Sequence, residues 1–158
     1  MIIGSGDIAQ ALNDRNEFIF FASGVSNSSC TDKKEFQREI ELLYKQDRSQ
    51  HLVYFSTIQT DKRTPYTKHK LIMERYVSAL FENFTVIRIG NIDWGTNPNT
   101  FLNYLRAEIK KGNQPEIRDE LKFMISKNEL NFITNNLPYK GRNTINVFGQ
   151  MAKVKDLI

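Results

Sequence analysis

The sequence has very little cysteine: Cys30 is the only one among 158 residues. A single thiol cannot form an intramolecular disulfide, and the chain lacks the cysteine and histidine spacing of a structural zinc site. No metal is therefore expected. A chain of this length can bury a sufficient core without such cross-links, and a protein without disulfides is expected in a reducing, cytoplasmic compartment.

Long hydrophobic runs are also missing. No apolar run approaches the roughly 20 residues that cross a bilayer. The first residues, Met1 to Gly4, lack the basic segment and the long apolar segment of a signal peptide. We therefore expect no membrane association. The composition, 40% hydrophobic and 25% charged, instead indicates an ordinary globular chain that forms a single domain, residues 1–158.

The excess of positive over negative charge is small. The 22 basic and 18 acidic residues give a net charge of +4, which suits an anionic small molecule as well as a weak nucleic-acid contact. The basic residues are dispersed among acidic ones, and the aromatic residues fall in predicted strands and helices rather than in an exposed stacking array. We therefore expect no nucleic-acid partner.

What the sequence does contain is an alternation of short apolar segments and helical patterns. The predicted strands are residues 1–3, 17–22, 51–56, 84–89 and 145–148, and the predicted helices are residues 7–12, 32–45, 64–82, 101–110 and 126–135, with a last helix starting at 153. Strands separated by helices of this length predict an α/β fold with a doubly wound parallel sheet, Rossmann-like and reduced in size.

The first motif lies between a predicted strand and a predicted helix. The run Gly4-Ser5-Gly6-Asp7-Ile8-Ala9 has the spacing G-x-G-x-x-A. Glycines at these positions allow a tight turn and the close approach of a diphosphate, and the amides at the start of the next helix offer it hydrogen bonds. A chance tight turn is an equally good interpretation of this motif alone. Asp7 then only places a favourable charge at a helix start.

The second motif joins a strand end to a helix. Ser56-Thr57 closes a predicted strand, and Tyr66 and Lys70 are four residues apart in the following helix, so they share one face. An ammonium near a phenol favours the phenolate, which would suit acid–base chemistry. The Thr57 hydroxyl could hydrogen-bond a substrate oxygen. Because Tyr-x-x-x-Lys also occurs by chance on amphipathic helices, the pattern alone leaves both interpretations open.

The third motif is a strand that runs into a glycine-containing loop. Arg88, Gly90 and Asn91 end the strand, and Trp94 follows. In a doubly wound sheet the carboxyl ends of the strands meet at one edge, where ligands bind. The loop could therefore contact a ligand, or it could be a simple exit turn. Trp94 could cover a sugar ring or pack against the core.

The order of these motifs resembles the extended short-chain dehydrogenase/reductase family, the NAD-dependent epimerase/dehydratase group that acts largely on nucleotide sugars. The resemblance spans nearly the whole chain, and the Tyr66 to Lys70 helix with Glu74 beyond it is the most specific part. The other matching segments are residues 20–24 as the strand that passes under the cofactor, 52–57 as the hydroxyl-bearing strand end, 87–91 as an Arg-x-x-Asn loop, and 116–130 with 143–147 as part of a small substrate-side lobe, placed here at 96–142.

The resemblance implies a role for each matching residue. Tyr66 would be the catalytic acid/base, Lys70 would hold the nicotinamide ribose and lower the pKa of Tyr66, and Thr57 would orient the substrate oxygen. NAD or NADP would be the cofactor and a nucleotide sugar the substrate. The implied cofactor-binding residues are Gly4, Ser5, Gly6, Asp7, Ile8, Ala22, Ser23, Gly24 and Lys70, and the implied substrate-binding residues are Asn91, Trp94 and Arg118.

The sequence departs from the family pattern at two places. The strand–helix–strand unit that normally supplies an acidic residue for the adenosine ribose is absent, because residues 12–16 lead directly into the strand at 17–22. Ile58 and Gln59 stand where dehydratases of the family carry an acid pair, so keto-reduction or 4-epimerisation is favoured over loss of water. A catalytically inactive nucleotide- or sugar-binding relative, or a partner subunit, is the alternative interpretation.

The missing unit also leaves the strand at residues 1–3 at the edge of the predicted sheet. A short apolar edge strand can pair with another chain. We therefore expect a homo-oligomer formed through this edge or the surface beside it, and light scattering that shows a strict monomer would contradict this expectation.

Overall fold

The computed structural model describes residues 1–117 and 120–158. In chain order the elements are β1 (Ile2–Ile3), α1 (Asp7–Ala11), β2 (Phe18–Phe21), α2 (Lys33–Tyr44), β3 (His51–Thr57), α3 (Pro65–Leu80), β4 (Phe84–Ile89), β5 (Asn91–Ile92), α4 (Phe101–Lys110), β6 (Leu121–Ile125), α5 (Lys127–Asn135), β7 (Arg142–Val147) and β8 (Gln150–Lys153). A 3-10 turn at Val154–Asp156 stands where the sequence predicted a last helix.

The central sheet has five parallel strands in the order β1-β2-β3-β4-β7. Every residue of β2 and β3 is buried, which explains why these strands are almost continuously apolar in the sequence. Successive side chains of β2 enter opposite cores, because a strand directs alternate residues to opposite faces. Phe18 and Phe20 join the core that includes Ala11 and Leu130, and Ile19 and Phe21 join the other. The predicted doubly wound α/β fold is confirmed.

The helices begin where the sequence predicted. Asp32 accepts a hydrogen bond from the Lys34 amide at the start of α2, and Thr64 accepts one from the Thr67 amide at the start of α3, with Pro65 in the first turn. Ser126 forms a capping box at the start of α5. The first residue of each of these helices is therefore set by a local hydrogen bond, and the side chain that forms it can be recognised in the sequence.

A second, smaller sheet has the order β5-β6-β8, with β5 and β6 parallel and β6 and β8 antiparallel. The sequence did not predict β6 or β8, whose residues are mostly exposed and do not alternate cleanly. This sheet lies in the region expected to form a substrate-side lobe, and it takes β5 and β8 from outside residues 96–142. The edge strand β7 begins at Arg142 rather than at 145. The sequence did not predict its first three residues because they are polar and exposed, and they are in the strand because they pair with β4.

β1 lies at the outer edge of the central sheet in the described chain, since β2 is its only paired neighbour there. This position agrees with the predicted edge, and self-association through it stays a prediction. Among the described residues, no helix combines the length and the apolar character needed to span a membrane.

Candidate functional site

A cavity of about 820 Å³ opens at the carboxyl ends of the central strands. Its wall is formed by the segments that follow β1, β2, β3 and β4 together with the first turns of α3. Most of the predicted site residues lie in this wall, namely Ser5, Gly6, Asp7, Ile8, Ala22, Ser23, Gly24, Thr57, Tyr66, Lys70 and Asn91. The structure therefore brings the three sequence motifs together at one site, as expected at the carboxyl ends of the strands of a parallel sheet.

The glycine-containing turn after β1 presents an open backbone to this cavity. Gly4 has φ +121°, and a Cβ at this position would collide with the carbonyl group of Ala22. Gly4 therefore lies behind the cavity wall and allows the turn to pack against the end of β2. No atom lies within 4 Å of the position that a Cβ of Gly6 would occupy, so the Gly6 face of the turn is accessible to a ligand.

Asp7 fixes a neighbouring loop. Its carboxylate accepts hydrogen bonds from the backbone amides of Thr96, at 3.0 Å, and Asn97, at 2.9 Å. The indole Nε1 of Trp94 donates to the backbone oxygen of Asp7 at 3.1 Å, and the Trp94 ring packs against the hydrophobic core. Trp94 therefore has a packing role in this structure, and its contact with a sugar stays a prediction. Arg118 lies outside the described residues.

Tyr66 and Lys70 lie one turn apart at the start of α3, which the Thr64 cap and Pro65 position. The Nζ atom of Lys70 is 5.9 Å from the centre of the Tyr66 ring. Lys70 lines the cavity, although only 3% of the residue is exposed. The predicted pair therefore shares a helix face and a cavity.

Lys70 is held by groups that the sequence analysis did not single out. Its Nζ atom donates to the backbone oxygen of Phe55 at 3.1 Å and to Tyr54 Oη at 3.2 Å, and it lies 3.7 Å from Glu39 Oε1. Tyr54 Oη also donates to Glu39 Oε1 at 2.6 Å, and His69 Nε2 lies 2.8 Å from Glu39 Oε2. Glu39, Tyr54, His69 and Lys70 thus form a buried tetrad beneath the cavity.

A signal for Glu39 does exist in the sequence. Glu39 occurs on the face of α2 that carries Phe36, Ile40 and Leu43, so it is a single acid within an apolar stripe. A buried carboxylate requires a partner, but the sequence does not reveal which one. His69 is buried, and its ring stacks on Phe36 with 4.3 Å between ring centres.

The electrostatics of the tetrad follow from burial and pairing. Burial alone would raise the pKa of Glu39, but Lys70, His69, Tyr54 and the Val25 amide outweigh it and lower the pKa from 4.5 to about 2. Burial lowers the pKa of Lys70, although Glu39 opposes this effect. The lowered pKa of Glu39 favours its charged carboxylate, whereas the lowered pKa of Lys70 favours its neutral amine. Glu39, with four partners of its own, is therefore the firmly charged member, and Lys70 is the member whose charge burial opposes.

The pKa of Tyr66 differs from the prediction. Burial raises the pKa of the Tyr66 phenol above 10, and the negative charge of Glu39 adds to this effect. The sequence analysis expected Lys70 to lower this pKa. That part of the expectation was wrong because the phenol is buried and because Glu39, which the sequence did not place beside Lys70, adds a negative charge nearby. In this structure Tyr66 is therefore a protonated phenol.

The remaining predicted residues lie at the ends of β3 and β4. Thr57 Oγ1 accepts a hydrogen bond from the Gln59 amide at 3.1 Å, so its own proton is directed elsewhere. Arg88 forms two hydrogen bonds with Glu74, at 3.0 and 2.6 Å, and Ser56 donates to the same carboxylate at 2.6 Å. Arg88 thus ties β4 to α3, whereas Asn91 reaches the cavity.

Similarity to known proteins is confined to solved structures. No protein-family model and no curated protein sequence matches the chain. Several solved structures do match, at low sequence identity. CapF, a capsular polysaccharide assembling protein of Staphylococcus aureus, is 15% identical, with a TM-score of 0.56 over 89% of this chain and 42% of its own.

Two enzymes have higher TM-scores. The Bordetella bronchiseptica enzyme WbmG, whose structure contains NAD and UDP, is 12% identical, with a TM-score of 0.65 over 88% of this chain and 53% of its own. The UDP-glucose 4-epimerase of Thermus thermophilus, in complex with NAD, is 14% identical, with a TM-score of 0.65 over 89% of this chain and 59% of its own. The chain therefore spans about half the length of these proteins, and it shares their Rossmann-like α/β fold, which agrees with the fold class that the sequence predicted.

Proposed function

We propose that this chain is an NAD(P)-dependent oxidoreductase or epimerase that acts on a nucleotide sugar, with Tyr66 as the group that moves the proton. One observation carries the proposal: Tyr66, Lys70, Thr57 and the open face of the Gly6 turn line a single cavity of about 820 Å³. A volume of this size is in the range of pockets that enclose a ligand of nucleotide size. The likeness of the fold to enzymes whose structures contain NAD adds support.

The residues fit one half of a nicotinamide dinucleotide. The accessible backbone at Gly6 suits a diphosphate, and Lys70, which lines the cavity, suits the nicotinamide ribose. The cofactor, when bound, supplies or accepts the hydride. Among the described residues, no acid follows a second strand to hold the adenosine ribose, so the preference between NAD and NADP has no determinant of that kind here.

Tyr66 is suited to donate a proton. A phenol with a raised pKa stays protonated at neutral pH, so it has a proton to give. The same shift makes it a weaker acid, so the transfer needs a strongly basic acceptor, which the sugar oxygen becomes as hydride adds to the ketone. The Thr57 hydroxyl already accepts a hydrogen bond from the Gln59 amide, so its own proton can be donated to the same sugar oxygen. These two donors favour keto-reduction, or the reductive half of a 4-epimerisation.

Asn91, at the start of β5, is the proposed contact for the phosphates of the nucleotide sugar, since it lies in the cavity wall beyond β4. Arg118 stays a second candidate for this contact from its sequence position. Ile58 and Gln59 follow Thr57 in place of an acid pair. Loss of water from the sugar needs a separate acid and base, so the site favours reactions that use only the tyrosine, the hydroxyl and the cofactor.

A second candidate is a nucleotide- or sugar-binding protein without catalytic activity. The observation that favours it is the commitment of Lys70 to the protein's own atoms: two of its protons are donated to Phe55 and Tyr54, and Glu39 lies 3.7 Å away. A lysine held in this way has less capacity to bind a ribose. The two candidates differ in cofactor binding and in the effect of removing the Tyr66 hydroxyl.

Calorimetry with NAD, NADH, NADP and NADPH tests the proposal first, with micromolar binding expected for at least one of them. Tyr66→Phe should then retain that binding but lower turnover of a nucleotide keto-sugar by about 10²- to 10⁴-fold, since it removes the proton donor. Tyr44→Phe, at an exposed tyrosine of α2, is the matched control. No binding of any dinucleotide supports the second candidate, and wild-type turnover in Tyr66→Phe contradicts the role of Tyr66.

A further inference from the structure

Glu39 lies behind the cavity rather than in its wall. Its side chain is fully buried, and it contacts the cavity through Lys70, which is part of the wall. We propose that Glu39 is a positioning residue that keeps Lys70 in its charged form and fixes the ammonium at the floor of the cavity. Neither the glycine turn nor the Tyr-x-x-x-Lys pattern identifies this residue.

The first argument is one of charge. A lysine that is buried without a counter-charge loses its proton near neutral pH. The Nζ atom of Lys70 is 3.7 Å from Glu39 Oε1, and no other carboxylate of the described residues lies within 4 Å of it. Glu74 on α3 also favours the ammonium, but more weakly than Glu39, and its two oxygens are bound to Arg88. Glu39 therefore supplies the charge that Lys70 requires.

The other charged and titratable groups around Lys70 do not replace Glu39. Arg38 on α2 has the same sign as Lys70 and is bound to Glu35 and to the backbone of Ser23. His69 on α3 contacts the opposite oxygen of Glu39, and Tyr54 on β3 donates its only proton to Glu39. The phenol of Tyr66 is the remaining neighbour, and it is neutral in this structure.

The second argument is one of position. Glu39 Oε2 accepts a hydrogen bond from the Val25 amide at 2.9 Å, so the carboxylate holds the segment after β2 as well as Lys70. A Cβ at Gly24 would lie 2.8 Å from Glu39 Oε1, which shows how closely this segment covers the tetrad. The segment Ala22 to Gly24 was predicted to bind the cofactor. One carboxylate thus connects the predicted cofactor segment to the predicted catalytic helix.

The inference rests on the proposed function in one respect only, namely that Lys70 binds the ribose of a nicotinamide dinucleotide. The pairing of Glu39 with Lys70 is tested independently of any ligand. The full chain labelled with ¹⁵N-lysine reports by NMR whether the Lys70 side chain is an ammonium or an amine, and Lys70→Met assigns the signal.

In Glu39→Gln the titration midpoint of Lys70 should move to lower pH by about two pH units, because a buried lysine has lost its counter-charge. Glu39→Asp should recover part of this change. Glu35→Gln, an exposed acid of the same helix, is the matched control and should leave the midpoint in place. A Lys70 midpoint that is the same in Glu39→Gln and in the wild type would overturn the proposal.

A second variant covers the case in which Glu39→Gln does not fold. Glu39→Gln with Lys70→Met removes both charges, and it should melt at a higher temperature than Glu39→Gln alone, because no uncompensated ammonium stays buried. A double variant that is no more stable than the single one overturns the pairing.

Dinucleotide binding separates this inference from the proposed function. If the wild type binds NAD(P)H, Glu39→Gln should weaken the binding about tenfold at pH 8 and less at pH 6, where Lys70 regains its proton. An equal loss at both values of pH contradicts the role of Glu39 at the cavity. Absence of binding in the wild type, together with a shifted Lys70 midpoint, contradicts the proposed function but retains the Glu39–Lys70 pairing.

Discussion

Gly24 and Lys70 belong to two separate sequence motifs, yet they are in direct contact. A Cβ atom on Gly24 would lie 2.7 Å from Lys70 Nζ. Real Cβ atoms do not approach other heavy atoms this closely. The backbone of the predicted cofactor segment therefore lies directly on the ammonium of the predicted catalytic helix, and the size of the residue at position 24 sets how close the two can come.

Gly24→Ala should destabilise the protein by about 1–3 kcal/mol, the usual effect of an added methyl group in a closely packed site. Lys70 and Glu39 would have to move apart to accommodate it, and both are held by other partners. Urea unfolding with two optical probes measures the change. The same variant should weaken dinucleotide binding, since Lys70 is displaced.

Gly6→Ala is the matched control for that prediction. Gly6 has φ −76°, which alanine adopts readily, and nothing lies near the position of its Cβ. The free energy of unfolding should therefore stay within about 0.5 kcal/mol of the wild-type value. Equal destabilisation by the two substitutions would contradict the close contact of Gly24 with Lys70.

Acid should destabilise the protein partly through Glu39. Because its pKa is lowered from 4.5 to about 2 in the folded state, its contribution is fully present above pH 4.5 and is lost as the pH falls through about 2. The difference corresponds to about 3 kcal/mol, at about 1.4 kcal/mol per pKa unit. Urea unfolding between pH 6 and pH 2 should show a steeper loss of stability for the wild type than for Glu39→Gln. Parallel curves would mean that the carboxylate is not charged more strongly in the folded state.

Asp7 should stabilise the loop at residues 94–97. Asp7→Ala removes the acceptor of the Thr96 and Asn97 amides, and hydrogen bonds to a charged group are each worth about 1.5–3 kcal/mol. We expect a loss of about 2–4 kcal/mol in the free energy of unfolding and faster hydrogen exchange at these two amides. Asp7→Asn keeps one acceptor oxygen and should lose roughly half as much. Unchanged exchange in Asp7→Ala would show that the loop is held by other contacts.

The sequence predicted the central strands well because their signal is local. β2, β3 and β4 are buried on both faces, so nearly every residue in them is apolar or small. The starts of α2, α3 and α5 were predictable for the same reason, since a capping side chain acts within three residues. β6 and β8 carried no such signal. β8 and the first half of β6 are mostly exposed, and these strands exist because β6 pairs with both β5 and β8.

The site divides in the same way. Helical periodicity predicts that Tyr66 and Lys70 are neighbours on one helix face. The glycine turn and Thr57 were expected to lie close together because both follow strands whose carboxyl ends meet at one edge of the sheet. The contacts of Asp7 and Arg88 depend on residues that are distant in the sequence. Asp7 binds the amides of the loop at residues 96–97, and Arg88 binds Glu74, and neither contact is indicated by the order of residues.

The amino-acid sequence by itself determined the order of strands and helices, the edge at which the motifs converge and the helix face shared by a phenol and an ammonium. Only the tertiary structure decided the charge state of that pair. Glu39 and Tyr54 come from α2 and β3, and their distances to Lys70 depend on how three elements pack together. Since a pKa depends on burial and on charges nearby in space, the raised pKa of Tyr66 comes from contacts that no local pattern records.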